Sequence, residues 1–200
     1  MASSFPTSID SFTDPLSTSP LNSPSHSLQH SNLNSAVNKI ETYMGLVLVT
    51  SATVGTGVTS VTVSNCFSAT YDSYKIIMSD TAGTSGAWLY FNVNGIPAQW
   101  YGNYLYANFA SGAPLSVGAN GATYANYVGG CAQSTFSLNM EINNPFLAKA
   151  TFVNAPFVDA NTAGTATYVL ATNASYTGFQ VYCNAVTMTG GTIRVYGYRK

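Results

Sequence analysis

Two hundred residues suffice for one domain of ordinary size and an accessory segment. Only 6% of them are charged and the formal net charge is -1, against roughly 25% charged in an average soluble chain; without clustered Lys and Arg, nucleic acid and anionic lipid are poor partners. The opening "MASSFPTSID" has no basic start and no apolar h-region, and runs such as "GLVLV" fall far short of the roughly 20 residues that span a bilayer, so neither a signal peptide nor a membrane-inserted segment is expected.

Residues 1–22 are rich in Ser, Thr, Pro, Asp and Asn, with Pro6, Pro15 and Pro20 spaced so that no helix or central strand persists through them. Phe5, Ile9, Phe12, Leu16 and Leu21 are scattered through this extended segment, more apolar surface than a purely solvated tail requires, which predicts an arm that docks. Ser23 and Pro24 read as N-cap and first helical residue, and Gly45 as the left-handed residue beyond the end, which predicts a short helix ending near Met44. Along it His26, His30, Leu33, Val37, Ile40 and Met44 recur at alternating intervals of four and three, the a/d seam of a coiled coil. A lone helix of about 20 residues is marginal, so this one needs partner helices, that is, further copies of the chain. His26 and His30 have a spacing that can ligate a metal on one helical face. No acidic or cysteine residue accompanies them, and polar seam residues set register, so no metal is assigned and the histidines are placed in the seam. Rings that faced one another would repel on charging near a pKa of about 6.5.

From Leu46 the period changes to two, and Val, Thr, Tyr and Phe dominate between Gly, Asn and Pro. Strands are predicted over 46–54, 58–67, 73–79, 88–93, 99–106, 135–142, 148–155, 165–172, 178–183 and 192–198. The fold class is therefore mainly β: a jelly-roll-like antiparallel β-sandwich over 46–200, preceded by the extended arm over 1–22 and the short coiled-coil helix over 23–45. Alternation puts Leu89, Phe91 and Val93 on one face and Trp88, Tyr90 and Asn92 on the other, and turns Ile193 and Val195 inward with Arg194, Tyr196 and Tyr198 outward.

Cys66, Cys131 and Cys183 are odd in number, far apart and without a CxxC pair, which predicts buried free thiols in a chain made in a reducing compartment. No catalytic residue is assigned. Asp72, Asp80, Glu141 and Asp159 are scattered, and both histidines lie outside the β body. "GTSGAW" and "GANGATYANYVGG" lack the Lys and the strand-loop-helix setting of a phosphate site and read as loops, so no cofactor is expected. The stretch "GAWLYFNVNGIPAQWYGNYLYANF" gathers aromatic and amide side chains. Two uses are open to it: packing in the core and between subunits, or a glycan-contacting patch formed by Trp88, Trp100, Tyr101 and Tyr104.

"FPTSIDSFTDP" followed by "LNSPSHSLQHSNLNSAVNKIETYMG" resembles the N-terminal attachment segment of structural proteins of tailed bacteriophages, among them tail fibres, minor tail proteins and head fibres. The body is similar, in pattern, to the β-sandwich ends of such proteins, and "GGTIRVYGYRK" to their closing strand. The resemblance implies a homotrimer assembled in the bacterial host cytoplasm and carried on the virion. Its arm, through Phe5, Pro6, Ile9, Phe12 and Leu16, would anchor it to other virion proteins, and its sandwich would project towards host surface glycan. Long relatives carry repeats between anchor and tip; here the sandwich begins directly after Gly45. A capsid decoration or head fibre with a purely structural role is the alternative.

Overall fold

The computed structural model describes residues 25–43, 45–84, 87–93, 99–131, 136–184 and 186–199. The docking arm with Phe5, Pro6, Ile9, Phe12 and Leu16, the expected cap Ser23–Pro24, and Met44 lie outside these residues. Helix α1 runs over His26–Tyr43, and its cap is Ser25, two residues later than the sequence suggests. The Leu28 N–H donates to Ser25 Oγ at 3.3 Å, and the Gln29 N–H donates to the Ser25 carbonyl at 3.1 Å. A serine oxygen thus meets a donor that has no partner inside the first turn. Gly45 has a φ of +83°, the left-handed conformation that glycine adopts at no steric cost. Between Gly45 and Leu46 the chain divides into two compact units.

The second unit consists of β1 (Leu46–Thr53), β2 (Ser60–Val63), β3 (Ser73–Gly83), β4 (Ala87–Val93), β5 (Trp100–Asn108), β6 (Pro114–Ala122), β7 (Ala125–Cys131), β8 (Phe136–Asn143), β9 (Lys149–Val158), β10 (Thr162–Ala174), β11 (Phe179–Cys183), β12 (Met188–Thr189) and β13 (Thr192–Tyr198). All pairings are antiparallel. The larger sheet has the order β1-β13-β3-β8-β9-β10-β5-β6, with β12 beside β3, and the smaller has the order β2-β11-β4-β7. Period-two alternation explains the sandwich-like arrangement. Leu89, Phe91 and Val93 of β4 share one apolar core with Ile76 and Met78 of β3, Leu138 and Met140 of β8, and Ile193 and Val195 of β13.

Among the described residues thirteen strands stand where ten are expected from the sequence. The additional three are β6, β7 and β12. "GANGATYANYVGG", expected as a loop, forms the end of β6, a turn and most of β7. Its Gly, Ala and Asn have little intrinsic preference for a strand. Neighbours β5 and β4 supply the hydrogen-bond partners that make a strand of it. Gly130 of β7 also lies where there is no room for a side chain. A Cβ on Gly130 would overlap the carboxylate of Asp159. That carboxylate accepts the N–H groups of Asn161 and Thr162 at 2.7 and 2.8 Å and closes the β9–β10 turn.

The cysteine expectation is corrected. Cys131 and Cys183 form a disulfide, and only Cys66 is free among the described residues. Sequence separation hides the pairing: β7 and β11 both flank β4, with Cys131 opposite Ala87 and Cys183 opposite Leu89. Disulfides persist on extracellular and virion surfaces and are rare in a reducing cytosol. Cys66 fits the expectation of a buried thiol. Burial pushes its pKa up to about 12, outweighing backbone hydrogen bonding at the sulfur, so it stays protonated and unreactive.

A loop closed over 52 residues restricts the unfolded chain by about 4 kcal/mol in the chain-entropy treatment. Cys131→Ser with Cys183→Ser is expected to lower the unfolding free energy by about that amount in urea titrations, with the native circular dichroism retained in buffer. Three titratable thiols rather than one in the denatured, unreduced protein would show that the bond does not form.

Candidate functional site

Two surfaces stand out, one in each unit. On α1, Leu33, Val37 and Ile40 are 57%, 43% and 44% exposed. Their spacing, with that of exposed His30, places them on one face. The side chains of His26 and Met44, the outer members of the expected seam, lie outside the described residues. Among the described residues no group of three or more His, Cys, Asp and Glu side chains comes together to hold a metal. No described helix is long and apolar enough to cross a membrane.

In the β unit the aromatic residues are brought together by a bulge in β7. Leu89 of β4 pairs with Gly129 and Phe91 pairs with Ala125, so Asn126, Tyr127 and Val128 stand opposite Tyr90 alone. Tyr127 takes up this surplus with a φ of +62°, a left-handed conformation that costs a bulky residue of order 1–3 kcal/mol. Its neighbours enforce it. Val128 is fully buried, and the Tyr168 hydroxyl donates to the Asn126 carbonyl at 2.6 Å.

The bulge aims the Tyr127 ring at three others, with centroids 4.2 Å from Tyr104, 4.9 Å from Trp88 and 5.4 Å from Tyr90. From this hub the cluster runs in two directions. Trp88 leads to Tyr106 and Phe157 on β5 and β9. Tyr90 stacks on Tyr182 at 5.0 Å, and Tyr124 meets Tyr182 edge-on at 4.6 Å and 64°. Offset and edge-to-face arrangements of this kind are the favourable ones for aromatic quadrupoles. Strand pairing sets polar groups beside the rings. Ser60, Tyr182 and Tyr90 form one cross-strand row, and Thr62, Gln180 and Asn92 form the next. The Gln180 amide donates to Thr62 Oγ1 at 3.3 Å, and the Asn184 amide donates to the Tyr90 hydroxyl at 3.4 Å.

The four aromatics expected to form a glycan patch are not brought together on a surface. Trp100 is fully buried, and its indole N–H donates to Asn92 Oδ1 at 3.1 Å. Tyr104 is buried, and Trp88 is only part-exposed, with four rings around it. Tyr101, 37% exposed, is on the other face of β5 from Tyr104, as the pleat requires. Trp100 and Tyr104 are therefore withdrawn from the candidate surface. The open corner consists instead of Tyr124 and Tyr182, backed by Tyr90 and Tyr127 and flanked by Gln180 and Asn184. Alternation in β4 does signal that Tyr90 faces outward. Nothing in the sequence signals that Tyr124 and Tyr182, nearly sixty positions apart, belong beside it.

Comparison of the chain with protein-family models, with curated proteins and with solved structures finds no match.

Burial pushes the hydroxyls of Tyr90 and Tyr182 up to about 12, in Tyr90 with help from hydrogen bonding to Tyr127 and in Tyr182 with help from repulsion by Tyr124. Burial raises Tyr104 and Tyr168 further. Tyr198 is raised to about 12 chiefly because its hydroxyl donates to Glu141 at 2.6 Å. A group whose folded pKa exceeds its unfolded value of about 10 binds its proton more tightly when folded. Its stabilisation is complete below about pH 10 and is lost as pH rises towards 12. Thermal midpoints are expected to be flat up to about pH 10 and to fall steeply above it, and to fall less steeply in Tyr198→Phe, which removes one of these hydroxyls. Thermal midpoints that stay flat between about pH 10 and 12 would contradict the burial of these hydroxyls.

Proposed function

We propose that this chain is a non-enzymatic structural protein of a tailed-phage virion: a short trimeric appendage, anchored by its N-terminus, that displays a β-sandwich. The observation that carries the proposal is the apolar stripe of Leu33, Val37 and Ile40, exposed along a single helix. An isolated helix of 18 residues gains little from its own hydrogen bonds, and packing this stripe against copies of itself would supply the missing stabilisation. The resemblance of residues 5–45 to phage attachment segments favours three copies, and gives the preceding arm its role of docking on other virion proteins.

The topology supports a jelly roll. With β5–β6, β9–β10 and β12 taken as additions, the remaining eight strands fall in the orders β1-β13-β3-β8 and β2-β11-β4-β7. In chain order these are first, eighth, third and sixth, then second, seventh, fourth and fifth, the double Greek key used by capsid and lectin domains. Surface chemistry is in keeping with an assembled particle. No charged residue occurs between Asp80 and Glu141, and Tyr101, Leu105, Leu115, Val117, Phe152 and Val158 are exposed on β5, β6 and β9. Neutral surface is cheaper to desolvate against a neighbour than charged surface. The Cys131–Cys183 disulfide suits a protein that works outside the cell, with oxidation following release from the cytoplasm in which the particle is built.

A second reading, a capsid decoration or head fibre, is favoured by the start of β1 directly after Gly45, which leaves no shaft to extend the sandwich. Both readings require self-association. The full chain is expected to sediment as a trimer at micromolar concentration. Leu33→Asp with Ile40→Asp is expected to give monomers by light scattering with an unchanged β-sheet signal. Removal of residues 1–22 is expected to leave the trimer but abolish incorporation into particles. A monomeric full chain would overturn the proposal. Between the two readings, a raised capsid burst temperature on addition of the protein selects decoration.

A further inference from the structure

The outer face of the four-stranded sheet combines three properties that jointly define a ligand. It offers ring surface, because the part-exposed rings of Tyr124 and Tyr182 meet at 64° with centroids 4.6 Å apart. It offers neutral hydrogen-bonding groups beside those rings, namely the amides of Gln180 and Asn184 and the hydroxyls of Ser60 and Thr62. Charge is absent from the strands that build it: β2, β4, β7 and β11 contain no Asp, Glu, Lys, Arg or His. A fourth, independent observation is the left-handed Tyr127 in the β7 bulge. Bulges that re-aim a side chain, and residues held in costly conformations, concentrate at binding sites.

We propose that this face binds a neutral saccharide, with a pyranose laid across the corner formed by Tyr124 and Tyr182 and its hydroxyls met by Gln180 and Asn184. The C–H groups on one side of a pyranose carry partial positive charge and suit the electron-rich face of a tyrosine ring. Amide groups both donate and accept, as a hydroxyl demands. The same surface selects against uronic and sialic acids, because a carboxylate brought onto it would lose hydration with no cation on these strands to replace it. A ligand for the displayed sandwich goes beyond the display role proposed above. It does not depend on the number of subunits.

The full-length protein is titrated by calorimetry with neutral hexasaccharides of glucose, galactose and mannose, and with the hexamers of galacturonic and sialic acid. Fluorescence is followed in parallel, because Trp88 packs against Tyr127 while Trp100 is fully buried. At least one neutral series is expected to bind with a Kd of about a millimolar or tighter and to shift the Trp88 emission, with the acidic hexamers binding at least about tenfold more weakly. Tyr182→Ala is expected to weaken binding about tenfold or more, Tyr182→Phe to retain it, and Tyr101→Ala, on the larger sheet, to leave it unchanged. Should Tyr182→Ala fail to fold, Gln180→Ala removes an amide without touching a ring and is expected to weaken binding likewise. The proposal is overturned if no neutral saccharide binds, if the acidic hexamers bind as tightly, or if folded Tyr182→Ala binds like the parent. Sedimentation of the same samples separates the two conclusions. A change of oligomer in Tyr182→Ala makes this face a subunit contact and overturns the saccharide site, whereas a monomeric parent that binds sugar overturns the assembly alone.

Discussion

Leu89, Phe91 and Val93 on the small sheet and Ile76, Met78, Leu138 and Met140 on the large one are packed into a single apolar core, and the rest of the β unit depends on that burial. Each of these side chains alternates along its strand with one that faces outward, so fixing the inner set fixes the outer set as well. A slip of one residue in β4 would bring Trp88, Tyr90 and Asn92 into the core and turn three apolar side chains to water. The outer surface inherits its order from this constraint.

The consequence is visible in how the molecule uses its few charges. Glu141 accepts the Tyr198 hydroxyl across the large sheet, and Asp159 caps the β9–β10 turn. Both are tied to local geometry. With so little charge available, cohesion rests on apolar contact and on hydrogen bonds between neutral groups, terms that depend weakly on salt and on pH below the tyrosine range. The disulfide adds a covalent tie between two strands that flank β4 without pairing with each other.

The aromatic cluster serves two purposes from one set of rings. On one side Trp88, Tyr104, Tyr106 and Phe157 fasten β5 and β9 of the large sheet to the small one. Towards the other, Tyr127 packs against Tyr90 and Tyr90 against Tyr124 and Tyr182, and part of the Tyr124 and Tyr182 surface stays open. A ring locked by its neighbours has already lost its conformational freedom, so a ligand that rests on it meets a small entropic penalty. Rigidity from packing and readiness for contact are thus the same physical fact.

Local pattern was enough to establish the change from a helical period to a period of two at Gly45, the outward and inward faces of β4 and β13, the turn before the last strand and the apolar stripe on α1. Each of these depends on residues within a few positions of one another. The tertiary structure alone decided that Cys131 meets Cys183, that Trp100 belongs to the core, that a glycine-rich run is a strand, and that Tyr124 and Tyr182 share a corner. Those outcomes depend on which strands become neighbours, and neighbours are chosen by the closing of the whole core rather than by the residues that end up in contact. Tyr127 shows the limit most plainly. Its strained φ is imposed by the buried Val128 and by a hydrogen bond from Tyr168 to Asn126, and no window of sequence around it contains its partner.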